Sequence, residues 1–203
     1  MELRDALTQI AEIRQQMARG QLFRGYRAAT TAFSGLAAVL TGIIQWSLFP
    51  ATSPKHFVLL WAAAAAVCLA AVGVEMVVRT YRSASQVQRQ LTLLAVEQFV
   101  PSVAAGGLLT GFFCEFMPHE AWMLPGLWMV VFSLGMFASA RLLPRAVFAV
   151  AGFYLLAGIF TLLVTCDGAS AWRFSPWLMA GTFGIGQLTT ALILYHTLER
   201  HDD

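Results

Sequence analysis

Six long apolar stretches, separated by short polar clusters, constrain this chain more than any other feature of its sequence. A helix needs about 20 apolar residues, at about 1.5 Å of rise each, to cross a hydrocarbon core about 30 Å thick. The stretches that meet this requirement cover residues 28–49, 57–78, 91–113, 121–140, 146–165 and 176–198. Hydrophobic residues make up 58% of the chain and charged residues 12%, whereas soluble domains carry about 25% charged residues. We therefore expect an all-α, polytopic membrane protein with a six-transmembrane-helix bundle, not a water-soluble globular protein.

The segment before the first span is predicted to be a helix of a different kind. Residues 2–19 contain good helix formers and no proline or glycine, and Leu3, Ile10 and Met17 recur every seven residues, which places an apolar stripe on one side. This helix is expected to lie on the membrane surface or to dock within the molecule; the alternatives are a short coiled coil with a partner and a frayed extension. The predicted organisation is a cytoplasmic amphipathic N-terminal helix at 1–27, a six-helix transmembrane domain at 28–198 and a cytoplasmic tail at 199–203.

The positions of the thirteen basic residues predict how the bundle is oriented, because cytoplasmic loops accumulate Lys and Arg. Two of them, Lys55 and Arg173, fall in connections on one side of the predicted bundle. The others share the opposite side and are Arg4, Arg14, Arg19, Arg24, Arg27, Arg79, Arg82, Arg89, Arg141, Arg145 and Arg200. We therefore expect both termini in the cytoplasm and the chain in a cytoplasmic (inner) membrane. Indole rings favour the interface, and the tryptophans expected at the outer boundary are Trp46, Trp61, Trp122, Trp172 and Trp177.

Small residues predict which spans pack most closely, because helices in lipid associate where small side chains let their backbones approach. The second span contains an alanine run at 62–66, the third contains Gly107 and Gly111, and the sixth contains Ala180 and Gly184. These three spans are expected at the centre of the bundle, with the aromatic-rich fifth span nearer the lipid. The alternative is that these are simply the small residues common in membrane helices.

Ionisable side chains inside a span are costly and are therefore candidates for function. Glu75 lies near the cytoplasmic end of the second span, and Glu97 lies about six residues inside the third, roughly 9 Å along the axis. Pro101 cannot donate a backbone hydrogen bond to the carbonyl of Glu97, and Gln98 adds an amide beside it. Together these four residues form a candidate ion or proton site. The alternatives are an interfacial ion pair of Glu75 with Arg79, and a Glu97 that reaches the interface or hydrogen-bonds to a neighbouring helix.

The outer face carries two cysteines and several possible metal ligands. Cys114 ends the third span and Cys166 ends the fifth, so both lie in the expected oxidising compartment and form a candidate disulfide. Similar depth does not make two helices adjacent, and two free thiols are the alternative. The sequence contains no paired Cys-x-x-Cys or His-Glu-x-x-His motif, and we expect neither a metal nor a cofactor. The other polar residues considered as ligands are His56, Glu115, His119, Glu120 and Asp167.

Motifs for catalysis are absent from the sequence. It contains no phosphate-binding glycine loop followed by lysine and no Gly-x-Ser-x-Gly turn, so no catalytic residue is predicted and an enzyme is not expected. A non-catalytic membrane subunit, sensor or scaffold that binds a protein partner is the favoured function, because the spans lack a dense polar pathway. The alternative is a small ion- or proton-coupled transporter or channel that uses Glu97. The expected partners are the lipid bilayer and a second protein or further copies of the chain. Nucleic acid is not expected, because no soluble basic domain is present.

Overall fold

The described part of the chain consists of helices and short connections, with no strand. The computed structural model describes residues 28–48, 53–82, 86–140, 143–167 and 172–199, and the predicted N-terminal helix at 1–27 lies outside them. Six of the described helical segments are long and apolar enough to cross a membrane, which confirms the prediction of an all-helical chain with six candidate spans. The helices are α1 (Ala28–Leu48), α2 (Pro54–Arg82), α3 (Gln86–Phe116), a 3-10 helix (Pro118–Met123), α4 (Leu124–Ser139), α5 (Ala146–Thr165), α6 (Pro176–Leu194) and a π-helical turn (Tyr195–Glu199).

Prolines and one arginine define the helix ends on the predicted outer side. Helices α2 and α6 begin at Pro54 and Pro176, where a proline removes only an amide that has no partner within the helix. Helix α5 ends at Thr165, and the side chain of Arg173 binds the carbonyl groups at this end. Its Nε donates to the carbonyl of Thr165 at 2.9 Å, and its Nη2 donates to the carbonyl of Cys166 at 3.3 Å. The same guanidinium lies 4.7 Å from the ring centroid of Trp122. Arg173 therefore caps α5 and connects it to the 3-10 helix.

Helices α1 and α6 form the most extensive contact in the bundle, and small residues make it possible. A Cβ atom placed on Gly42 would lie 2.5 Å from the Cβ of Ala180, and one placed on Gly184 would lie 2.7 Å from Cγ2 of Val39. Each glycine therefore occupies a point where a side chain does not fit. The two helices approach closely because both carry small residues at matching heights.

Helices α4 and α5 approach each other closely enough for backbone contact. A Cβ atom on Gly158 would lie 2.8 Å from the carbonyl oxygen of Gly126, and one on Gly126 would lie 2.9 Å from the carbonyl oxygen of Gly158. An aromatic cluster joins this pair to α6: the ring of Tyr154 lies 4.9 Å from that of Phe132 and 5.3 Å from that of Phe183, measured between centroids. Tyr154 is completely buried. We had expected the aromatic-rich fifth span to lie nearer the lipid. Its central aromatic residue is instead buried within the bundle.

The predicted centre of the bundle is correct for the sixth span and wrong for the second and third. Within the best apolar window of each span, 44% of α6 is buried, compared with 17% for α2 and 6% for α3. The central places belong to α1, at 39%, and to the span that contains α4, at 44%. Small residues permit close packing but do not cause it, because contact also requires a matching surface on a second helix. Gly107 and Gly111 of α3 have no such surface, since a Cβ on either would meet nothing within 4 Å.

Trp61 is a core residue, and its N–H bonds within the protein instead of meeting water, as would be expected of an interfacial indole. Its ring is buried, and its Nε1 donates to Oε1 of Gln45, also buried, at 2.8 Å. Trp46, Trp172 and Trp177 are exposed, as expected of interfacial residues. The hydrogen bond between Trp61 and Gln45 joins α1 to α2. Helix α2 makes few other contacts with the rest of the bundle.

Removal of the Gln45 side-chain amide should therefore destabilise the packing of α2 against α1. We expect Gln45→Leu to lower the free energy of unfolding by about 1–3 kcal/mol, because the indole N–H is left buried without an acceptor. Adding Trp61→Phe removes that donor, so the double variant should be more stable than the sum of the two single changes predicts. Thermal unfolding of the detergent-solubilised protein measures all three variants. Additive losses would contradict the hydrogen bond.

Candidate functional site

Glu97, the acidic residue predicted to lie inside the third span, lies within α3. It follows the first residue of that helix, Gln86, by eleven residues. The side chain is exposed, as is that of Pro101. The depth of Glu97 in a membrane stays a prediction. Its exposure is compatible with the alternative that the carboxylate reaches the interface, where a charge costs much less than at the centre of the bilayer.

The other two members of the predicted ion site have different surroundings. Glu75 is half-buried on α2, and its carboxylate accepts a hydrogen bond from the hydroxyl of Thr30 on α1. The side chain of its predicted ion-pair partner, Arg79, lies outside the described residues. Gln98 is half-buried, and its Oε1 is enclosed with no hydrogen-bond partner in the described part of the chain. The structure thus exposes Glu97 and buries the amide oxygen of the next residue.

The cysteines and outer polar residues do not form a metal centre in the described ranges. Cys114 and Cys166 are free thiols, and Sγ of Cys166 donates to the carbonyl of Leu163 at 2.9 Å; their disulfide stays a prediction. His56 bonds to Ser53 at 2.7 Å through Nδ1, and Glu120 accepts from Nε1 of Trp122, also at 2.7 Å. Over the described residues, no three His, Cys, Asp or Glu side chains come together to hold a metal ion.

A cavity of about 420 Å³ lies between α2 and the rest of the bundle. It is lined by residues of α1, α2, α3, α4 and α6, and α2 contributes the alanines of the predicted packing segment. Because alanine has only a methyl group, this face of α2 does not fill the space between it and α3, α4 and α6. Gly106 of α3 also lines the cavity, and a Cβ there would meet nothing within 4 Å. Small residues on facing helices have thus produced a cavity here, whereas at α1 and α6 they produced a contact.

Most polar groups of the cavity have partners within the protein. Nε1 of Trp128 donates to Oγ1 of Thr110 at 2.8 Å, and that hydroxyl donates to the carbonyl of Gly106 at 2.7 Å. Thr190 donates to the carbonyl of Gly186 at 2.8 Å. Ser139 differs: it lines the cavity, is 3% exposed, and its hydroxyl has no hydrogen-bond partner among the described residues. The described lining contains no Asp, Glu, Lys, Arg or His, so the site suits an uncharged, largely apolar molecule.

The outward side of α3 is a second candidate site. Ala104, Leu108 and Gly111 lie three or four residues apart on this side and are all exposed, with Leu108 76% exposed. Glu97 and Glu115, both exposed, lie at the two ends of the same stripe. They are 18 residues apart, which corresponds to about 27 Å along a helix. The stripe is therefore nearly as long as a hydrocarbon core is thick, and it carries an acidic residue at each end.

Neither the cavity nor its unpartnered hydroxyl was predicted from the sequence. The only signal was the alanine run of α2, which we interpreted as a site of close packing. The alanine run lies at about the same height in the bundle as Gly106 and Gly107 of α3. Only the arrangement of the helices shows that the alanines and these glycines face each other across open space. Comparison with models of protein families, with curated proteins and with solved structures finds no match to this chain.

Proposed function

We propose that this chain is a non-catalytic membrane subunit, sensor or scaffold that binds a protein partner through the outward side of α3. The observation that supports this proposal is the low burial of α3, at 6% of its best apolar window, on a helix that carries small residues on its outward side. Ala104 and Gly111, on either side of the exposed Leu108, let another helix approach α3 closely at two positions. The proposal places the protein in a cytoplasmic (inner) membrane with both termini in the cytoplasm, as the distribution of arginines favours.

The charges on the stripe favour a transmembrane helix of a different protein over a second copy. Two copies with the same orientation in the membrane would bring Glu97 against Glu97 and Glu115 against Glu115 in a parallel α3 pair. Like charges in that arrangement repel, and no opposite charge lies on this side of α3 among the side chains that the structure describes. A partner helix with Lys or Arg just outside its apolar segment would complement both ends. We therefore infer a heterologous partner of this kind.

The first experiment introduces a photo-crosslinking amino acid at Ala104, with Ala149 of α5 as the matched control. Both positions carry an exposed alanine on a spanning helix, so they sample lipid equally if no partner is present. We expect crosslinking in native membranes to give one defined adduct from position 104 and none from position 149. Mass spectrometry should identify that adduct as a protein with basic residues flanking a spanning helix.

A second variant separates partner binding from general effects on the membrane. Ala104→Leu should reduce co-purification of the partner about tenfold, since the larger side chain keeps the partner helix away, while Ala149→Leu should leave it unchanged. Equal labelling from both positions, or a particle with the mass of a single chain, would contradict the proposal. A crosslink between two copies would contradict the heterologous partner and favour a homo-oligomer.

The transporter or channel that uses Glu97 has less support from the described residues. Glu97 is exposed on α3, and the described lining of the cavity contains no carboxylate. An ion pathway needs several convergent polar groups, which the cavity does not supply. The test is ion or proton flux into liposomes that contain the purified protein. We expect no flux that depends on Glu97. A flux that is present in the original protein and abolished in Glu97→Gln would favour transport over partner binding.

A further inference from the structure

The cavity between α2 and the rest of the bundle is too large and too apolar to be filled by water. Its volume of about 420 Å³ lies in the range of small-molecule sites, about 300–1,000 Å³. A bound water needs two to four polar partners, and Thr110 and Thr190 already donate to carbonyls of their own helices. An apolar cavity in contact with a bilayer is filled most readily by an apolar molecule, because nothing is lost by moving one from lipid into it.

The lining also indicates the shape of that molecule. Along α2 it extends from Trp61 to Val72, a distance of about 16 Å at the helical rise. Along α3 it extends from Phe99 to Thr110, over the same number of residues. The cavity is therefore elongated and runs parallel to the helices, which suits one hydrocarbon chain lying along the bilayer normal.

Ser139 shows where a polar group of the ligand would bind. It is the last residue of α4 and lines the cavity. It therefore lies at one end of the elongated cavity, and Trp128, which also lines it, lies near the other end. A buried hydroxyl without a partner costs about 1–3 kcal/mol, and a ligand with a hydrogen-bonding head removes that cost. Gln187 contributes a carboxamide to the same lining. Because the described lining carries no charged side chain, the head must be uncharged.

We propose that this cavity binds one single-chain lipid with an uncharged, hydrogen-bonding head, such as a long-chain alcohol. The chain lies against the alanine face of α2, and the head bonds to the hydroxyl of Ser139. The site is separate from the outward side of α3 described above, so it can be tested independently of the protein partner.

The test uses hexadecanol that carries a diazirine in its chain, added to the purified full-length protein. Light-induced labelling should saturate at one molecule per chain and map to residues such as Cys68, Phe99 and Met136, which line the cavity. Gly106→Leu should abolish the labelling, because its side chain occupies the cavity. Gly73→Leu, on α2 and outside the lining, where a Cβ would meet nothing within 4 Å, should not change it. Ala65→Leu on α2 fills the same space from the other side, and Ala63→Leu is its control.

The role of Ser139 is tested with a second compound that lacks the head, hexadecane carrying the same diazirine. Ser139→Ala should weaken the binding of the alcohol about five- to tenfold, as expected for the loss of one hydrogen bond, and leave that of the hydrocarbon unchanged. An equal effect on both compounds would overturn the placement of the head. Labelling that does not saturate would overturn the site itself. So would labelling that persists in both Gly106→Leu and Ala65→Leu, provided that these variants unfold at the same temperature as the original protein. Replacing hexadecanol with a branched isoprenoid alcohol shows which of the two chain types the cavity prefers.

Discussion

Gly158→Leu should unfold this protein more readily than any other single change we consider. A Cβ there would lie 2.8 Å from the carbonyl oxygen of Gly126 and 3.0 Å from the backbone nitrogen of Val130. Backbone atoms of a neighbouring helix cannot rotate away as a side chain can, so α4 and α5 must separate. We expect a loss of about 3 kcal/mol or more, at or above the upper end of the range for overpacked sites, seen as a large drop in the apparent melting temperature in detergent.

The matched control for this variant is Gly152→Leu on the same helix. A Cβ on Gly152 would meet nothing within 4 Å, and leucine has the higher helix propensity by up to about 1 kcal/mol. This variant should therefore be as stable as the original protein or slightly more stable. Equal losses in the two variants would show that α5 tolerates no larger residue for reasons other than its contact with α4.

Gly42→Ala should produce the second largest loss, at the contact between α1 and α6. The added methyl group would lie 2.5 Å from the Cβ of Ala180, and that atom is attached directly to the backbone. We expect a destabilisation of about 1–3 kcal/mol. Combining it with Ala180→Gly moves one methyl group from α6 to α1, so the double variant should recover most of the loss. Thermal unfolding of the four proteins completes the double-mutant cycle.

Gly181→Leu serves as the control for the contact between α1 and α6. Gly181 follows Ala180 directly, yet a Cβ on it would meet nothing within 4 Å, since it lies on another side of α6. Its replacement should leave the melting temperature nearly unchanged. A double variant of Gly42 and Ala180 that is no more stable than Gly42→Ala alone would contradict the packing of α1 against α6 described here.

The sequence predicted the helices well because each span carries its own signal. Every residue in a stretch such as 146–165 is apolar or small, and a backbone in lipid must satisfy its hydrogen bonds within the helix. Both requirements are local, so they can be inferred without knowing where the other helices lie. The prolines at the first positions of α2 and α6, Pro54 and Pro176, are local features as well, because the missing amide affects only the first turn.

The candidate sites were predicted less well, because they depend on how each helix is rotated. Glycines occur in α3 at Gly107 and Gly111 and in α5 at Gly158, and nothing in the local sequence distinguishes them. In the structure, a Cβ on Gly158 would meet the backbone of α4, whereas a Cβ on Gly107 or Gly111 would meet nothing within 4 Å. A one-residue difference around a helix turns a side chain by about 100°, so Gln98 is partly enclosed while Glu97 is exposed.

The sequence by itself determined that this chain is all-helical, with six apolar segments long enough to span a membrane, because length and hydrophobicity are properties of each segment alone. The tertiary structure alone decided that α1, α4 and α6 are the most buried spans, that α3 presents an outward side, and that the alanines of α2 border a cavity. Such outcomes depend on pairs of surfaces: a small residue allows close contact only where the opposite helix supplies a matching shape. The unpartnered hydroxyl of Ser139 follows from the same rule, since no described side chain of the facing helices reaches it.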